Sequence, residues 1–182
     1  MKRKKGEQGF ISHKKKIQAL TVAVFIAAGL SLFFICRTVF ETSRNFGTVV
    51  AVLLTLPAAK ALVNLILFLP YRSVPSEDVS KINALKDDSD ALYFDLVFTS
   101  EQSAMHLDAL CVRGTELIAW SVDGAKEEKI VSYFTESLRK RGIAVHMHVF
   151  RLNGFLSRLN EYHTEAAVPE EITEFIRMIL VG

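Results

Sequence analysis

The sequence has few residues of the kinds that form cross-links or common catalytic motifs. It holds two cysteines, Cys36 and Cys111, whose spacing offers neither a disulfide partner nor a metal-binding pair, as is typical of a reducing cytosol. It has no phosphate-binding loop, no dinucleotide-binding glycine pattern, no nucleophile elbow and no Cys-x-x-Cys. None of the corresponding enzyme classes is therefore indicated, and we expect no cofactor.

Positive charge is concentrated in one short segment. Residues 1–16 hold seven basic side chains and one acidic one, whereas residues 72–182 hold twelve basic and eighteen acidic ones, a net charge of −6. Nucleic acid binds positive surfaces, so we expect no nucleic-acid partner for this acidic region. The basic segment is expected either to contact anionic lipid headgroups or to act as a solvated tail that sets orientation.

Hydrophobic residues make up 50% of the chain, and most of the excess lies between Ile17 and Tyr71. Residues 17–36 and residues 46–69 form two apolar runs. A helix of about 20 residues crosses a hydrocarbon core of ~30 Å. The first run is longer than the core of a signal peptide, and no small-residue cleavage motif follows it. The two runs predict a transmembrane helical hairpin.

The charges around these runs predict the orientation of the hairpin. A loop of residues 37–45 carries two arginines, against seven basic residues before the first run. The positive-inside rule then places residues 1–16 in the cytosol as a basic tail, and residues 72–182 in the cytosol as well. We expect a two-pass protein of the cytoplasmic membrane, with a linker over residues 72–75 and a cytosolic domain over residues 76–182.

Polar residues fall at helical spacing inside the second run. Pro57, Lys60 and Asn64 lie on one stripe of the predicted helix. A lysine near the bilayer centre costs roughly 2.5–3.5 kcal/mol on insertion scales. The stripe predicts either an intramembrane site for a lipid headgroup, an ion or a partner helix, or a lysine that snorkels or satisfies carbonyls at a kink. We expect the stripe to face protein rather than lipid.

The remaining sequence predicts a small α/β domain. Alternating apolar residues predict four strands, and apolar residues at helical spacing predict the helices between and after them. We expect Leu92, Phe94, Leu96 and Phe98 to share one face of the first strand, and Gly114 to supply a positive φ in the following hairpin. The predicted element order is α-β-β-β-α-β-α-α, with about four strands.

Histidines suggest one candidate metal site. His146 and His148 alternate on one predicted strand, and His106 and Asp108 alternate on another. If these strands are neighbours, three imidazoles and a carboxylate can meet in a set that suits zinc. The alternative is that these histidines face solvent on half-buried strands.

The element order resembles the core of restriction-endonuclease-like nucleases. The stretch "MHLDALCVRGTELIAWSV" supplies the hairpin of that core and an acid, Asp108. Where the family has Glu-x-Lys, this chain has Trp120, Ser121 and Val122. The resemblance therefore implies a catalytically dead relative.

The whole chain also resembles uncharacterised two-helix bacterial membrane proteins. The stretches "LPAAKALVNLILFLPYR" and "SAMHLDALCVRG" carry this resemblance. Some of those proteins are labelled automatically as O-linked N-acetylglucosamine transferase-like. This chain has neither the helical repeat of about 34 residues nor the length that such transferases have.

Three hypotheses of function follow from these features. The first is a membrane-tethered, non-catalytic interaction or regulatory module, whose partners are membrane lipid and another membrane or cytosolic protein or a second copy. The second is a metal-dependent hydrolase that uses His106, Asp108, His146 and His148. The third is an accessory subunit of a membrane complex that acts through Lys60.

Overall fold

The computed structural model describes residues 6–40, 46–100, 103–123, 126–164 and 166–180. The chain divides into two compact units. One is Ser12–Tyr71, and the other combines Met1–Ile11 with Arg72–Gly182. The second division falls at the start of the predicted linker. The first differs from the predicted tail of residues 1–16, because residues up to Ile11 belong to the same unit as the α/β domain.

The unit Ser12–Tyr71 contains a long apolar helix and two shorter ones. Helix α1 covers Phe10–Phe40, α2 covers Phe46–Leu53 and α3 covers Thr55–Phe68. In the described residues, one helix, Phe10–Thr38, is long and apolar enough to cross a membrane, and an 18-residue stretch of it has a mean hydropathy of 2.5. A second spanning helix over residues 46–69 is not shown, and residues 41–45 of the predicted loop lie outside the described residues.

Pro57 explains why the second apolar run is interrupted. Proline has no backbone N–H, so the carbonyl of Leu53, four residues earlier, lacks its helical donor. The interruption is confined to Leu54, which keeps a helical backbone (φ −66°, ψ −18°) and donates its N–H to the Val50 carbonyl over 3.0 Å. The two helices are therefore joined by one residue at which the helical hydrogen-bond pattern is broken, and not by a loop.

Lys15 connects the beginning of α1 with the end of α3. Its ammonium donates to the carbonyl oxygen of Leu69 over 2.8 Å and to that of Tyr71 over 2.5 Å. The last carbonyls of a helix lack helical donors and carry partial negative charge, which favours a cation there. The contact holds the beginning of α1 beside the end of α3.

The first helix begins earlier than the apolar run. It starts at Phe10 rather than at Ile17, and it includes the lysines at positions 14–16. Lysine is a good helix former, so the helix continues through these charged residues towards the N-terminus.

The α/β domain has the predicted order of elements. Its sheet has four strands in the spatial order β1-β2-β3-β4, in which β1, β2 and β3 are antiparallel and β4 is parallel to β3. A small α/β domain with a four-stranded sheet is therefore confirmed. The elements are α4 (Ser76–Ala84), β1 (Ala91–Thr99), β2 (Ala104–Arg113), β3 (Glu116–Trp120), α5 (Glu127–Arg139), β4 (His146–Phe150), α6 (Leu152–Glu161) and α7 (Glu170–Ile179).

Helices cover both faces of the sheet, because each has an apolar stripe that needs a surface. Helices α5 and α7 pack on one face, where Phe134 and Phe175 meet edge to face with ring centroids 5.8 Å apart. Helices α4 and α6 pack on the other face around Trp120. The β2–β3 turn has Gly114 at φ 57°, as predicted.

Halfway along both β1 and β2, the side chains that had pointed to one face of the sheet begin to point to the other face. Asp95 has a left-handed backbone, φ 53°, which is uncommon for a residue other than glycine. Phe94 therefore packs with α4 and α6, whereas Leu96 packs with α5 and α7. The expectation that Leu92, Phe94, Leu96 and Phe98 share one face is wrong, because strict alternation fails where the backbone turns left-handed.

Candidate functional site

The predicted metal ligands lie at different ends of the sheet. His106 pairs with Val97 on β1, beyond the end of β3, whereas His146 pairs with Glu116 at the beginning of β3. Glu116 in turn pairs with Arg113, seven positions along β2 from His106, or about 23 Å of strand. The structure therefore does not bring His106 and Asp108 together with His146 and His148. Within the described residues, no group of three or more His, Cys, Asp or Glu side chains is placed to hold a metal ion.

The three residues of the predicted intramembrane stripe differ in exposure. Lys60 is exposed and makes no hydrogen bond to any described residue, while Pro57 and Asn64 are partly buried. The buried side of α3 is formed by Ala58, Ala61 and Phe68. That the stripe faces protein stays a prediction, since the described residues of this chain give Lys60 no hydrogen-bond partner.

Arg113 is a fully buried cation that the sequence did not single out. Its Nε donates to both carboxylate oxygens of Asp90, over 2.9 and 3.0 Å. Its Nη1 donates to the carbonyls of Leu159 and Tyr162, and its Nη2 donates to that of Leu85 over 2.9 Å. The guanidinium thus joins the segments after α4 and at the end of α6 to the sheet. All of its nitrogens are engaged, so its role is structural.

His163 and Asp87 form an exposed pair beside this network. The Nδ1 of His163 lies 2.8 Å from Asp87 Oδ2, and its Nε2 lies 3.0 Å from the carbonyl of Asn160. Because both ring nitrogens face acceptors, the charged ring is favoured. The hydrogen bond to Asp87 raises the pKa of His163 above its usual value near 6.5. A ring held in this way has no free nitrogen with which to act as a general base.

A buried carboxyl, Asp95, holds the two segments that flank Ser12–Tyr71. The backbone N–H of Val74 donates to Asp95 Oδ1 over 2.9 Å. The hydroxyl of Ser73 and the backbone N–H groups of Gly9 and Ile11 lie against the same carboxyl. Burial raises the pKa of Asp95 above its usual value near 3.8, and these donors offset only part of that rise. The segment that precedes Ser12 and the segment that follows Tyr71 therefore both contact Asp95.

The two edges of the sheet differ in how they are covered. At the β1 edge, Phe94 donates its N–H to the carbonyl of Gly6 over 2.9 Å, and Phe98 forms a β-bridge with Leu180. The β4 edge has no neighbouring strand in the part of the chain that the structure describes. An open edge presents unpaired backbone groups to other chains, so the β4 edge is the candidate interaction site.

The register shows which backbone groups of β4 are open. His146 donates to the Thr115 carbonyl over 3.1 Å, and Phe150 accepts from the N–H of Ser121 over 3.1 Å. Backbone groups alternate in direction along a strand, so those of Met147 and Val149 point away from β3. Their side chains pack on the α5 face, while the side chains of His146 and His148 are exposed on the opposite face.

A groove runs between this edge and helix α5, which we call the β4–α5 groove. Valine and methionine side chains form its floor, and its lining includes no lysine or arginine. Glu127 and Glu128, in the first turn of α5, make no ion pair with any described residue. The groove residues are Glu127, Glu128, Val131, Ser132, Thr135, Met147, His148 and Val149.

Sequence reasoning noticed the histidines of β4 but missed the groove, because the open side of a strand depends on which strand lies beside it. Comparison with family models, with curated proteins and with solved structures finds no match to this chain in any of the three.

Proposed function

We propose that this chain is a membrane-tethered, non-catalytic interaction or regulatory module. The observation that supports it most directly is the surface of Ser12–Tyr71. Large apolar side chains are exposed along both α1 and α3, with Leu20 and Val63 each 66% exposed. Water-soluble proteins rarely expose contiguous apolar surface of this extent, whereas a helix in a hydrocarbon solvent requires it.

A two-pass arrangement fits the contacts inside this unit. The Lys15 contacts to Leu69 and Tyr71 hold the beginning of α1 beside the end of α3. With basic residues 1–16 at that end, the positive-inside rule puts both termini in the cytosol and the protein in the cytoplasmic membrane. The α/β domain is then a cytosolic module held at the membrane.

The polar groups of the domain support interaction rather than catalysis. Buried Arg113 and exposed His163 are both saturated by hydrogen bonds within the domain. The residues needed for a metal-dependent hydrolase, His106, Asp108, His146 and His148, lie at two ends of the sheet. In contrast, the β4 edge offers open backbone groups beside an apolar floor, which is a recurrent way to bind an extended segment.

Site-specific photo-crosslinking in cells tests this proposal. A photoreactive phenylalanine analogue would replace His146 at the β4 edge, His163 beside Asp87, or Met178 on α7, all of which are exposed. We expect the chain to resist extraction from membranes by alkaline carbonate and to give a reproducible adduct at one of these surfaces. A chain that carbonate releases, or that gives no adduct at any position, would contradict the proposal.

A further inference from the structure

We propose that the β4–α5 groove binds an extended, basic peptide segment of another protein, which adds to the sheet as a fifth strand beside β4. The inference rests on the proposed function, since it names the partner of an interaction module. Its basis is the combination of an open strand edge, an apolar floor and two unpaired carboxylates in one groove.

The open edge is the first part of the argument. The fold covers its other edge at two points, through Gly6 and Leu180, yet leaves β4 without a neighbour among the described residues. Natural sheets protect open edges with lysine, proline or bulges. The sequence of β4, His146–Phe150, contains no lysine or proline, and it pairs with β3 at every position without a bulge.

The alternation of β4 gives the length and pattern of the segment. The outward backbone groups of Met147 and Val149 provide two donors and two acceptors, enough to pair with a short strand. Side chains of an added strand on the α5 side would lie over Val131, Met147 and Val149. Every second residue of the segment is therefore expected to be apolar.

The charge of the groove selects its partner. Glu127 and Glu128 line it without an ion pair inside the described chain, and the domain around it carries an excess of acidic residues. A second copy that paired through the same edge would bring four carboxylates and no groove cation together. A segment that carries lysine or arginine supplies the missing charge, so a basic partner fits better than a second copy.

Fluorescence anisotropy with the full chain in a non-ionic detergent tests the inference. The probe is a labelled short peptide that alternates valine with threonine and carries lysine in place of valine at each end, so that the lysines lie on the same face as the valines and can reach Glu127 and Glu128. We expect it to bind at least tenfold more tightly than the same peptide with glutamate in place of lysine, and than a version whose alternate backbone nitrogens are methylated. Methylation removes the donors that β-pairing needs and leaves the side chains and charge unchanged.

Two variants locate the binding. Val149→Pro removes an outward N–H while leaving the bonds from β4 to β3 in place, and an edge strand accepts proline at such a position. Glu127→Gln combined with Glu128→Gln removes the charge. Both are expected to weaken binding about tenfold or more. The matched control is Glu170→Gln with Glu171→Gln, in the first turn of α7, which is expected to bind as the wild type does.

Several results would overturn the inference. They are equal binding of the acidic peptide, an equal loss of binding in the α7 control, and a crosslink from the analogue at His146 that joins two copies of this chain. If Val149→Pro fails to fold, the methylated peptide still tests the backbone pairing, and Glu127→Gln with Glu128→Gln still tests the charge. If the peptide does not bind in this groove but an adduct forms at His163 or Met178 in cells, only the groove is rejected. If no adduct forms at any position, the proposed function is rejected.

Discussion

Asp95 on β1 and Asp108 on β2 lie opposite each other, at the point where both strands exchange faces. The pairs on either side of them are Phe94 with Ala109 and Leu96 with Leu107. Both carboxyls are buried, with 1% and 8% of their surface exposed. Burial, together with the nearby charge of Asp95, raises the pKa of Asp108 from 3.8 to about 6. The domain therefore contains two acids that disfavour each other's charged form.

The first prediction concerns the stability of Asp108→Asn as pH changes. In the folded state Asp108 holds its proton up to about pH 6, whereas the unfolded chain releases it near 3.8. The folded state thus binds more protons in this window, so the contribution of Asp108 to stability falls as pH rises from about 4 to 6. Asparagine keeps an acceptor for the Val122 N–H, which donates to Asp108 Oδ2 over 2.8 Å.

We expect Asp108→Asn to match the wild type at pH 4 and to be more stable by about 1–3 kcal/mol at pH 7. His106 has the opposite effect, since burial lowers its pKa to about 4, and its contribution rises with pH up to about 6.5. That contribution is common to both proteins and cancels in the difference. Urea unfolding followed through Trp120 provides the measurement, and Asp88→Asn, at an exposed acid, is the control. A difference that does not change with pH would contradict the prediction.

The second prediction separates the backbone of Asp95 from its carboxyl. Asparagine tolerates a positive φ and keeps an acceptor, so Asp95→Asn is expected to cost about 1 kcal/mol or less. Asp95→Gly keeps the backbone but loses the contact to Val74, and Asp95→Val also forces a β-branched residue to φ 53°. The expected order of unfolding free energies is Asn, then Gly, then Val, with valine about 3 kcal/mol or more below the wild type. Equal stability of the valine and glycine variants would show that φ is not constrained.

The third prediction concerns the buried ion pair of Arg113 and Asp90. Asp90→Ala removes the buried carboxylate of Arg113 and leaves only the partly exposed Asp87, 3.4 Å from Nη2, so it is expected to cost about 3–5 kcal/mol. Glu77→Ala removes an exposed ion pair with Lys81, 2.7 Å long, and is expected to leave the stability nearly unchanged, because water screens the pair. Trp120 fluorescence during urea unfolding compares the two. A small effect at Asp90 would mean that the carbonyl acceptors and Asp87 are enough to satisfy Arg113.

The fourth prediction tests the two-pass topology. A cysteine that replaces Thr42, in the loop predicted to lie outside, should react with a membrane-impermeant thiol reagent in intact cells. A cysteine that replaces Ser76, in the predicted cytosolic domain, should react only after the cells are opened. The wild type is the control, because Cys36 and Cys111 are both buried. The reverse labelling pattern would refute cytosolic termini.

The fifth prediction concerns Lys60, which is exposed on α3. If it faces another chain in the membrane, Lys60→Leu should change the mass of the detergent-solubilised assembly. Size-exclusion chromatography with light scattering measures this mass. Leu62→Met, a conservative change at a nearby exposed position, is the control. An unchanged mass and an unchanged phenotype would leave the accessory-subunit hypothesis without support.

Local patterns were sufficient for the order of elements in the domain. The helical stripe of Ile130, Phe134 and Leu138 and the glycine at position 114 behave as predicted, because periodicity and allowed φ act over a few residues. The same patterns failed at Asp95, where the interchange of faces depends on donors from Val74 and from residues far away in the chain. The second apolar run was predicted as one helix, and Pro57 interrupts it.

The sequence by itself determined the apolar character of α1, the acidic balance of the domain and the succession of its helices and strands, because composition and short-range periodicity carry this information. Only the tertiary structure decided which residues meet. Strand register separates His106 from His146, and buries Arg113 against Asp90. Strand order leaves β4 at an open edge beside Glu127 and Glu128. Register and strand order are set by long-range packing, which no local pattern in one sequence specifies.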